Sequence, residues 1–374
     1  MRTTFAYIDS YNGPEYFCDR IEETKRLTTL LVNGNHVALM SPRRMGKTGL
    51  IHHCFAQQEL IDNYYLFVVD IYATNSLAEL TYALGRSILT VLKSKGRKAW
   101  ERFIQVVGSL RTGISIDAFG QPSWNMEIGD IQMPKISLDE IFLYLGTADK
   151  PCIVAIDEFQ AITNYKEKNV EALLRTYIQG CNNAWFVFSG SKRHMMGEMF
   201  SSPARPFYQS ASTISLKPIS LESYTSFIKH HFLKDGVQID NETIRYIYEK
   251  FDGTTWYIQK ICNELFAMAD RESSCGIEEV NKAIDNTVNE KEDTFQDMMA
   301  RLPLNQKKLL LALAHSKIDI QPTSGSFIKK YHLSSASTVQ RSLSALQEKD
   351  IITSNNGKYY FYDYFLYYWL NKIK

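Results

Sequence analysis

The chain has 374 residues, of which 45% are hydrophobic and 22% are charged, so it has the composition of a soluble globular protein, and its length predicts two or three domains. Its 42 Lys and Arg residues nearly balance 41 Asp and Glu residues, so no overall charge favours nucleic acid or a membrane surface as its partner. The N-terminal sequence lacks the apolar core of a signal peptide, and no segment approaches the ~18 apolar residues of a membrane span; we therefore expect a cytosolic protein without a membrane partner.

From the N-terminus to about residue 219, strand-like segments alternate with helix-like segments. This pattern is typical of a parallel sheet that is covered by helices on both faces. Five strands are predicted, at His36–Met40, Tyr64–Ile71, Cys152–Ile156, Trp185–Ser189 and Thr213–Leu216. The sequence therefore predicts an α/β domain over residues 1–219.

The first predicted strand runs into a loop that ends in Gly46-Lys47-Thr48, and helix-like sequence follows. In a phosphate-binding loop, backbone N–H groups and the helix N-terminus face the phosphates, the lysine adds positive charge and the hydroxyl ligates Mg²⁺. Ser41 replaces the first glycine of the usual Gly-x-x-x-x-Gly-Lys-Ser/Thr pattern, but the flanking strand and helix support the interpretation. We expect nucleotide contacts from the whole loop, namely Ser41, Pro42, Arg43, Arg44, Met45, Gly46, Lys47, Thr48 and Gly49.

Between Arg111 and Asp130, apolar residues alternate on either side of a Gly-Gln-Pro-Ser turn. Such alternation predicts a β-hairpin inserted in the α/β domain. An irregular surface loop is the alternative.

The apolar strand after Pro151 ends in two carboxylates, Asp157 and Glu158. Hydrolysis needs one group to hold the metal and another to polarise the attacking water. Asp157 is expected to act on Mg²⁺ and Glu158 to orient or deprotonate the water. Either motif alone could arise by chance, but the two together, in this order, predict a Mg²⁺-dependent nucleoside triphosphate site with Lys47, Asp157 and Glu158 as catalytic residues.

After Pro218 the strand-like segments stop and helical spacing takes over, which predicts an all-helical domain over residues 220–302. Its predicted helices are Glu222–Leu233, Glu242–Phe251, Thr255–Arg271 and Ile277–Met299. A third domain, over residues 303–374, is predicted to contain the helices Asn305–Lys317, Ser326–Tyr331 and Ser335–Asp350, followed by a hairpin that turns at Asn356-Gly357. This order is typical of a winged helix-turn-helix.

Within the winged helix, Ser335–Asp350 is the candidate recognition helix, and its polar residues, such as Gln340 and Arg341, could face a DNA groove. Its charge is only weakly basic, so DNA binding and packing against the ATPase core or a protein partner both remain open. The aromatic segment from Tyr359 to Trp369 favours packing, because so many adjacent rings need burial.

Several of these segments carry a family resemblance: Phe17-Cys-Asp-Arg20, the loop from Ser41 to Thr48, Ile156-Asp-Glu158, Phe188-Ser-Gly-Ser191 and the aromatic C-terminal segment. Over almost its whole length the chain resembles the archaeal-type ATPase family of the STAND branch of AAA+ proteins. The resemblance implies a P-loop parallel-sheet ATPase core, a helical lid, a C-terminal winged helix, and ATP with Mg²⁺ as ligands. Ser41 departs from the glycine of the family, and we expect the change to be tolerated if its φ angle is not positive.

The resemblance also implies roles for residues outside the loop. Phe17 and Arg20 would border the nucleotide. Ser189 and Ser191 would lie at the sensor position that reads the γ-phosphate, although such hydroxyls could equally satisfy backbone groups. Arg205 would act as an arginine finger, in cis or from a neighbouring molecule, unless it is an ordinary surface residue.

The function implied is that of a nucleotide-driven switch, which binds ATP and Mg²⁺, hydrolyses ATP slowly or on stimulation, and signals through a protein partner, DNA or a nucleotide-dependent homo-oligomer. The alternatives are a DNA-binding regulator and an interaction scaffold, each with nucleotide as a structural ligand. The six cysteines form no Cys-x-x-Cys pair and are expected to be reduced structural thiols. Transport, proteolysis and metal catalysis find no support in the sequence.

Overall fold

The computed structural model describes residues 11–270, 272–316, 321–355 and 357–373. The chain divides into two compact units, and the boundary along the sequence lies between Ile219 and Ser220. This division falls where the sequence changes from mixed to helical character. The separation of a lid from a winged helix near residue 302 lies inside the second unit and stays a prediction.

The first unit is built on a five-stranded parallel sheet. In chain order its strands, with those of an inserted hairpin, are β1 Val37–Met40, β2 Tyr65–Asp70, β3 Ile114–Ile116, β4 Pro122–Trp124, β5 Cys152–Asp157, β6 Ala184–Gly190 and β7 Ser212–Ser215. The sheet order is β2-β5-β6-β1-β7, so all five predicted sheet strands are confirmed. Every residue of β5 is buried, as a central parallel strand with both faces covered requires.

Helices cover both faces of this sheet. They are α1 Ile21–Val32, α2 Lys47–Phe55, α3 Gln58–Asn63, α4 Leu77–Ser94, α5 Arg97–Val106, α6 Pro134–Thr147, α7 Val170–Gly180 and α8 Arg193–Ser201. On one face, Leu31 of α1 and Leu50 of α2 pack in one core with Ala155 of β5. On the other face, Leu84 of α4 and Ile156 of β5 lie in a second core. Both faces of the sheet are therefore covered by helices, and the loops that follow the strands lie at its carboxyl edge.

The predicted hairpin is present, because β3 pairs with β4 in antiparallel register. Its turn spans Asp117–Gln121, slightly before the predicted Gly-Gln-Pro-Ser turn. The reason is local: the carboxylate of Asp117 accepts hydrogen bonds from the N–H groups of Phe119 (2.9 Å) and Gln121 (2.8 Å), which close the turn early. Pro122 then begins β4.

The second unit is mainly helical. Its helices are α9 Leu221–Lys234, α10 Asn241–Lys250, α11 Thr255–Met268, α12 Ile277–Glu290, α13 Glu292–Ala300, α14 Leu304–Ala314, α15 Gly325–Lys330, α16 Ala336–Glu348 and α17 Tyr364–Lys372, and its strands are β8 Gln238–Ile239, β9 Ser274–Cys275, β10 Ile352–Asn355 and β11 Lys358–Phe361. The helix predicted over Ile277–Met299 is divided in two at Lys291. The parallel pair β8–β9 was not predicted, because two residues per strand are too few to show a pattern.

Residues from Leu304 onward form the predicted winged helix, with three helices followed by the antiparallel hairpin β10–β11. The position given to the turn, Asn356, lies outside the described residues. The aromatic segment continues into α17, a helix that the sequence analysis did not predict. The hydroxyl of Tyr257 donates to the carbonyl of Tyr362 (3.0 Å) and accepts from the N–H of Tyr364 (3.1 Å), so this segment is packed within its own unit.

All six cysteines are buried, and none of them forms a disulfide bond, as expected for structural thiols. Burial raises the pKa of the Cys18 thiol to about 12 and that of Cys54 to about 11, which keeps both protonated and unreactive. Within the described part of the chain, no helix is both long and apolar enough to cross a membrane.

Candidate functional site

The loop between β1 and α2 lies at the carboxyl edge of the sheet. The N–H of Ser41 donates to the carbonyl of Gly190, the last residue of β6 (3.5 Å). The left-handed positions of the loop are Arg44 (φ 67°) and Gly46 (φ 88°), and Ser41 is not among the residues with positive φ. The condition for tolerating serine in place of glycine is therefore met. Gly46 precedes Lys47, where α2 begins.

Lys47 is buried, with 6% of its surface exposed. Its ammonium group donates to the carbonyls of Ser41 (3.2 Å) and Pro42 (3.2 Å). Burial lowers the pKa of Lys47, while the carboxylates of Glu158 and Asp157 act in the opposite direction. A desolvated cation facing loop carbonyls and carboxylates is suited to receive phosphate oxygens, which satisfy its charge better than carbonyls do.

Thr48 and Asp157 meet directly, since the threonine hydroxyl donates to Oδ2 of the carboxylate at 2.5 Å. Oδ1 of Asp157 accepts from the N–H of Glu158 (3.0 Å). A hydroxyl and a carboxylate are the oxygen donors that Mg²⁺ takes at phosphate sites, so this pair fits the predicted ion. Among the described residues, no cluster of three or more His, Cys, Asp or Glu side chains could hold a metal.

Glu158 is held in place by two neighbours. Its Oε2 accepts from Nε2 of Gln160 (2.5 Å) and from the hydroxyl of Ser191 (2.7 Å). Its backbone is left-handed, with φ 55°, a conformation that costs a non-glycine residue on the order of 1 kcal/mol and concentrates at functional sites. The second carboxylate of the motif is thus fixed at the sheet edge by backbone and side chain together.

The two predicted sensor hydroxyls behave differently. Ser191 bonds to the side chain of Glu158. Ser189 has no exposed surface, and its hydroxyl has no hydrogen-bonding partner among the described residues. An unsatisfied buried hydroxyl costs roughly 1–3 kcal/mol, so Ser189 is the better candidate to contact a bound phosphate.

Arg20 lies buried beside the loop with a left-handed backbone (φ 64°). Its guanidinium donates to the carbonyls of Lys217 (2.7 Å) and Met45 (3.2 Å) and to the carboxylate of Glu23 (2.8 Å). These contacts tie the phosphate loop to the segment that follows β7. The predicted nucleotide-bordering arginine is therefore a support of the loop in this structure.

Phe17 stacks on His53 of α2, with ring centroids 4.1 Å apart. The hydroxyl of Tyr11 bonds to Nδ1 of His53 (3.0 Å), and burial lowers the pKa of His53. A Cβ added to Gly49 would lie 3.6 Å from the Phe17 ring. Phe17 therefore lies next to the start of α2, and its expected place beside the nucleotide stays a prediction. Sequence reasoning missed its partners Tyr11 and His53, which belong to no motif.

Arg205 is engaged away from the loop residues described above. Its guanidinium forms an ion pair with both carboxylate oxygens of Glu171 and a longer one with Glu198 (3.4 Å). Action on a phosphate would require these pairs to open. Arg43 lies over the ring of Tyr72, 5.2 Å from its centroid.

Asp70 is a further residue of the site that sequence reasoning missed. It ends β2 and is paired in register with Asp157 on β5, so both side chains leave the same face of the sheet. Burial raises the pKa of Asp70, the hydrogen bond from the N–H of Tyr72 lowers it, and the charges of Asp157 and Glu158 raise it further. The signal was present, because Asp70 also follows an apolar strand.

Comparison with known proteins gives the family and the fold. A family model described as an ATPase domain predominantly from Archaea matches residues 17–261, and a model described as "Probable winged helix domain" matches residues 293–372. No curated protein matches the chain.

Solved structures resemble nearly the whole chain. A Walker-type ATPase of Pyrococcus abyssi is 18% identical with a TM-score of 0.66, over 98% of this chain and 99% of that one. The ORC2 protein of Aeropyrum pernix, in ADPNP-ADP complexes, is 15% identical with a TM-score of 0.60, over 98% and 96%. The ORC1 protein of the same organism, in complex with DNA, is 14% identical with a TM-score of 0.52, over 96% and 95%. At such identities the likeness establishes the fold.

The predicted fold class, a P-loop parallel-sheet core followed by helices and a C-terminal winged helix, is confirmed by these matches and by the strand order. The archaeal ATPase model alone spans more than half of the chain. The chain belongs to the family of P-loop ATPases whose ATPase domain is found predominantly in Archaea.

Proposed function

We propose that this protein binds ATP with Mg²⁺, hydrolyses it to ADP and phosphate, and acts as a nucleotide-dependent switch of the STAND type. The observation that carries the proposal is the convergence of Lys47, the Thr48–Asp157 pair and Glu158 at one edge of the sheet. Each of these groups supplies a different requirement of phosphoryl transfer to water.

The geometry supports a distinct role for each group in this proposal. The loop N–H groups and Lys47 bind the phosphates, and Thr48 with Asp157 would hold Mg²⁺, which supplies positive charge at the phosphate oxygens. Glu158, restrained by Ser191, orients the attacking water and accepts its proton. The unsatisfied hydroxyl of Ser189 donates to the terminal phosphate.

The same contacts explain how nucleotide could act as a switch. Lys47 now bonds to loop carbonyls, Thr48 to Asp157, and Ser189 to no described residue. A triphosphate would offer new partners to all three, whereas a diphosphate offers fewer. The difference in contact energy between the two ligands is what can shift a conformational equilibrium.

Arg205 could take part in this site only after its ion pair with Glu171 opens. Its release from Glu171 would free a guanidinium for a phosphate in the same molecule or, in a homo-oligomer, in a neighbouring one. Phe17, with Tyr11 and His53, is proposed to border the base.

The test compares ATP binding and Mg²⁺-dependent turnover in the wild type, Lys47→Ala and Glu158→Gln, with the exposed Lys93→Ala as a matched control. We expect turnover in the wild type and control only, and binding in all but Lys47→Ala. Binding without turnover in the wild type would favour a scaffold or partner-activated protein. If the wild type did not bind ATP, the assignment of the loop as a phosphate-binding site would be wrong.

DNA binding is a second candidate function, favoured by the exposed polar face of α16, where Gln340, Arg341 and Ser344 lie opposite the buried Leu343 and Leu346. The structural relative ORC1 is itself in complex with DNA.

The test is duplex binding by fluorescence anisotropy over a salt series. Loss of salt-dependent binding in Arg341→Ala, with no change in Lys282→Ala on α12, would support this role. Equal affinity in both variants would direct attention to a protein partner.

A further inference from the structure

The second unit contains a cavity of about 320 Å³ whose wall is mostly aromatic. Its rings come from two consecutive elements, β11 and α17, namely Tyr359, Tyr360, Phe361, Tyr364, Tyr367 and Tyr368. All six are half-buried, so their faces are fixed by packing yet remain accessible. A volume at the low end for ligand sites suits the end of one side chain better than a folded element.

The wall already holds a cation. The ammonium group of Lys250, at the end of α10, lies 4.9 Å from the centroid of Tyr246 and 5.7 Å from that of Tyr368. Such distances are typical of cation–π attraction, which is worth about 0.5–2 kcal/mol depending on desolvation. One ring of the cavity, that of Tyr368, is therefore already placed so that a positive charge lies against its face.

Two carboxylates make the net charge of the cavity lining negative. Glu249 and Asp252 line it together with Lys250, which leaves one net negative charge. The hydroxyl of Tyr364 donates to Oδ2 of Asp252 (2.7 Å). Burial and this carboxylate raise the pKa of Tyr364, so the phenol stays a neutral donor and holds Asp252 in place.

The negative charge is local to the cavity, because residues 220–374 as a whole contain 20 Asp and Glu residues and 19 Lys and Arg residues. The two lining carboxylates disfavour a phosphate-bearing occupant, such as single-stranded nucleic acid with its bases stacked on the tyrosines. Complementarity favours a cationic occupant whose charge lies on a flat, weakly hydrated group.

We propose that this cavity binds an arginine side chain presented by a protein partner. The guanidinium would stack on the tyrosine faces while Glu249 and Asp252 accept its hydrogen bonds. This binding site lies wholly in the second unit and does not depend on nucleotide hydrolysis.

The test uses the full chain and a fluorescein-labelled Gly-Gly-Arg-Gly-Gly peptide, titrated by fluorescence anisotropy to millimolar protein at moderate salt. A citrulline peptide, which keeps the shape but lacks the charge, is the ligand control. Glu249→Lys reverses one cavity charge at a helix C-terminus, where lysine is favourable for folding. Glu290→Lys makes the same change at the exposed end of α12, outside the cavity lining. Tyr360→Leu keeps apolar volume but removes a π face.

We expect the arginine peptide to bind at least tenfold more tightly than the citrulline peptide. Glu249→Lys and Tyr360→Leu should each weaken the arginine peptide severalfold, and Glu290→Lys should leave it within twofold. Equal affinity for the two peptides, or an equal loss in both lysine variants, would overturn the proposal, since either result would mean that no cavity-specific charge recognition exists. Competition by oligo(dT) that Tyr360→Leu abolishes would overturn it in favour of a nucleic-acid site.

Discussion

The hydroxyl of Ser191 donates a hydrogen bond of 2.7 Å to Oε2 of Glu158. It joins the residue after β6 to the residue after β5, two neighbouring strands of the sheet. The proposed general base is thereby positioned by the strand that also carries Ser189, so the restraint on Glu158 is sensitive to the strand that would contact the phosphate.

Replacing Ser191 by alanine should lower ATP turnover about tenfold, equivalent to roughly 1.4 kcal/mol of lost positioning. ATP affinity should stay unchanged, because Ser191 is not proposed to bind nucleotide. Steady-state turnover and equilibrium ATP binding measured on the same samples separate the two effects. Ser191→Thr retains the hydroxyl and should recover most of the activity; a threonine variant as slow as alanine would contradict the positioning role.

Replacing Asp70 by asparagine should raise the Mg²⁺ concentration needed for tight ATP binding about fivefold, since the loss of a carboxylate beside Asp157 weakens the local field by roughly 1 kcal/mol. ATP affinity in EDTA should not fall. The measurement is ATP binding over a Mg²⁺ series, with the exposed Asp62→Asn on α3 as the control. Identical Mg²⁺ dependence in both variants would exclude Asp70 from the metal environment.

Gly190→Ala should destabilise the first unit by about 1–3 kcal/mol through overpacking. An added Cβ would lie 2.5 Å from Oε1 of Gln160 and from Cγ and Sδ of Met196, and Met196 is fully buried. The matched control is Gly197→Ala in α8, where an added Cβ meets nothing within 4 Å and alanine should stabilise the helix by about 0.5–1 kcal/mol. Urea unfolding midpoints should therefore move in opposite directions, and a neutral Gly190→Ala would show that Gln160 and Met196 shift freely.

His36 should make stability fall in acid. Its pKa is lowered from 6.5 to about 4, by burial and then by Arg175, and its Nδ1 accepts from the N–H of Phe186 (3.1 Å). Between about pH 6.5 and 4 the unfolded chain binds a proton that the folded chain excludes, so stability rises with pH across this window. The contribution of His36, about 2–3 kcal/mol, is present above pH 6.5 and is lost progressively as the pH falls towards 4.

The check is urea unfolding at pH 7 and pH 4.5 for the wild type and His36→Gln. Glutamine can still accept from the N–H of Phe186 but does not titrate in this range, so the variant should lose less stability on acidification. An equal loss in both proteins would assign the acid sensitivity to other groups.

The elements that could be predicted from sequence are those whose signal is local. A parallel strand buried on both faces is a continuous apolar run, so β5 is visible as Cys152-Ile-Val-Ala-Ile-Asp157. The phosphate loop is visible because its glycine, lysine and threonine are adjacent. Helix α17 was missed because a run of aromatic residues carries no clear helical period, and its packing against Tyr257 decides its conformation.

The parts of the site that could not be predicted depend on strand order and register. Asp70 meets Asp157 only because β2 lies beside β5, and Ser191 reaches Glu158 only because β6 lies on the other side. The clamp of Arg20 on the carbonyl of Met45 likewise joins groups with no common motif. Local pattern identifies which groups are present, whereas topology determines which of them become partners.

The packing of α17 has a consequence for how the second unit is made. The bonds from Tyr257 to Tyr362 and from Tyr368 to the carbonyl of Lys250 join residues more than 100 positions apart. During synthesis, α10 and α11 leave the ribosome long before their aromatic partners. The faces of Phe251 and Trp256 that contact Phe365 therefore remain exposed to solvent until α17 has been synthesised. This unit therefore completes its core only after translation has passed α17, and the interval before that is when the nascent chain is most exposed to aggregation and to capture by chaperones.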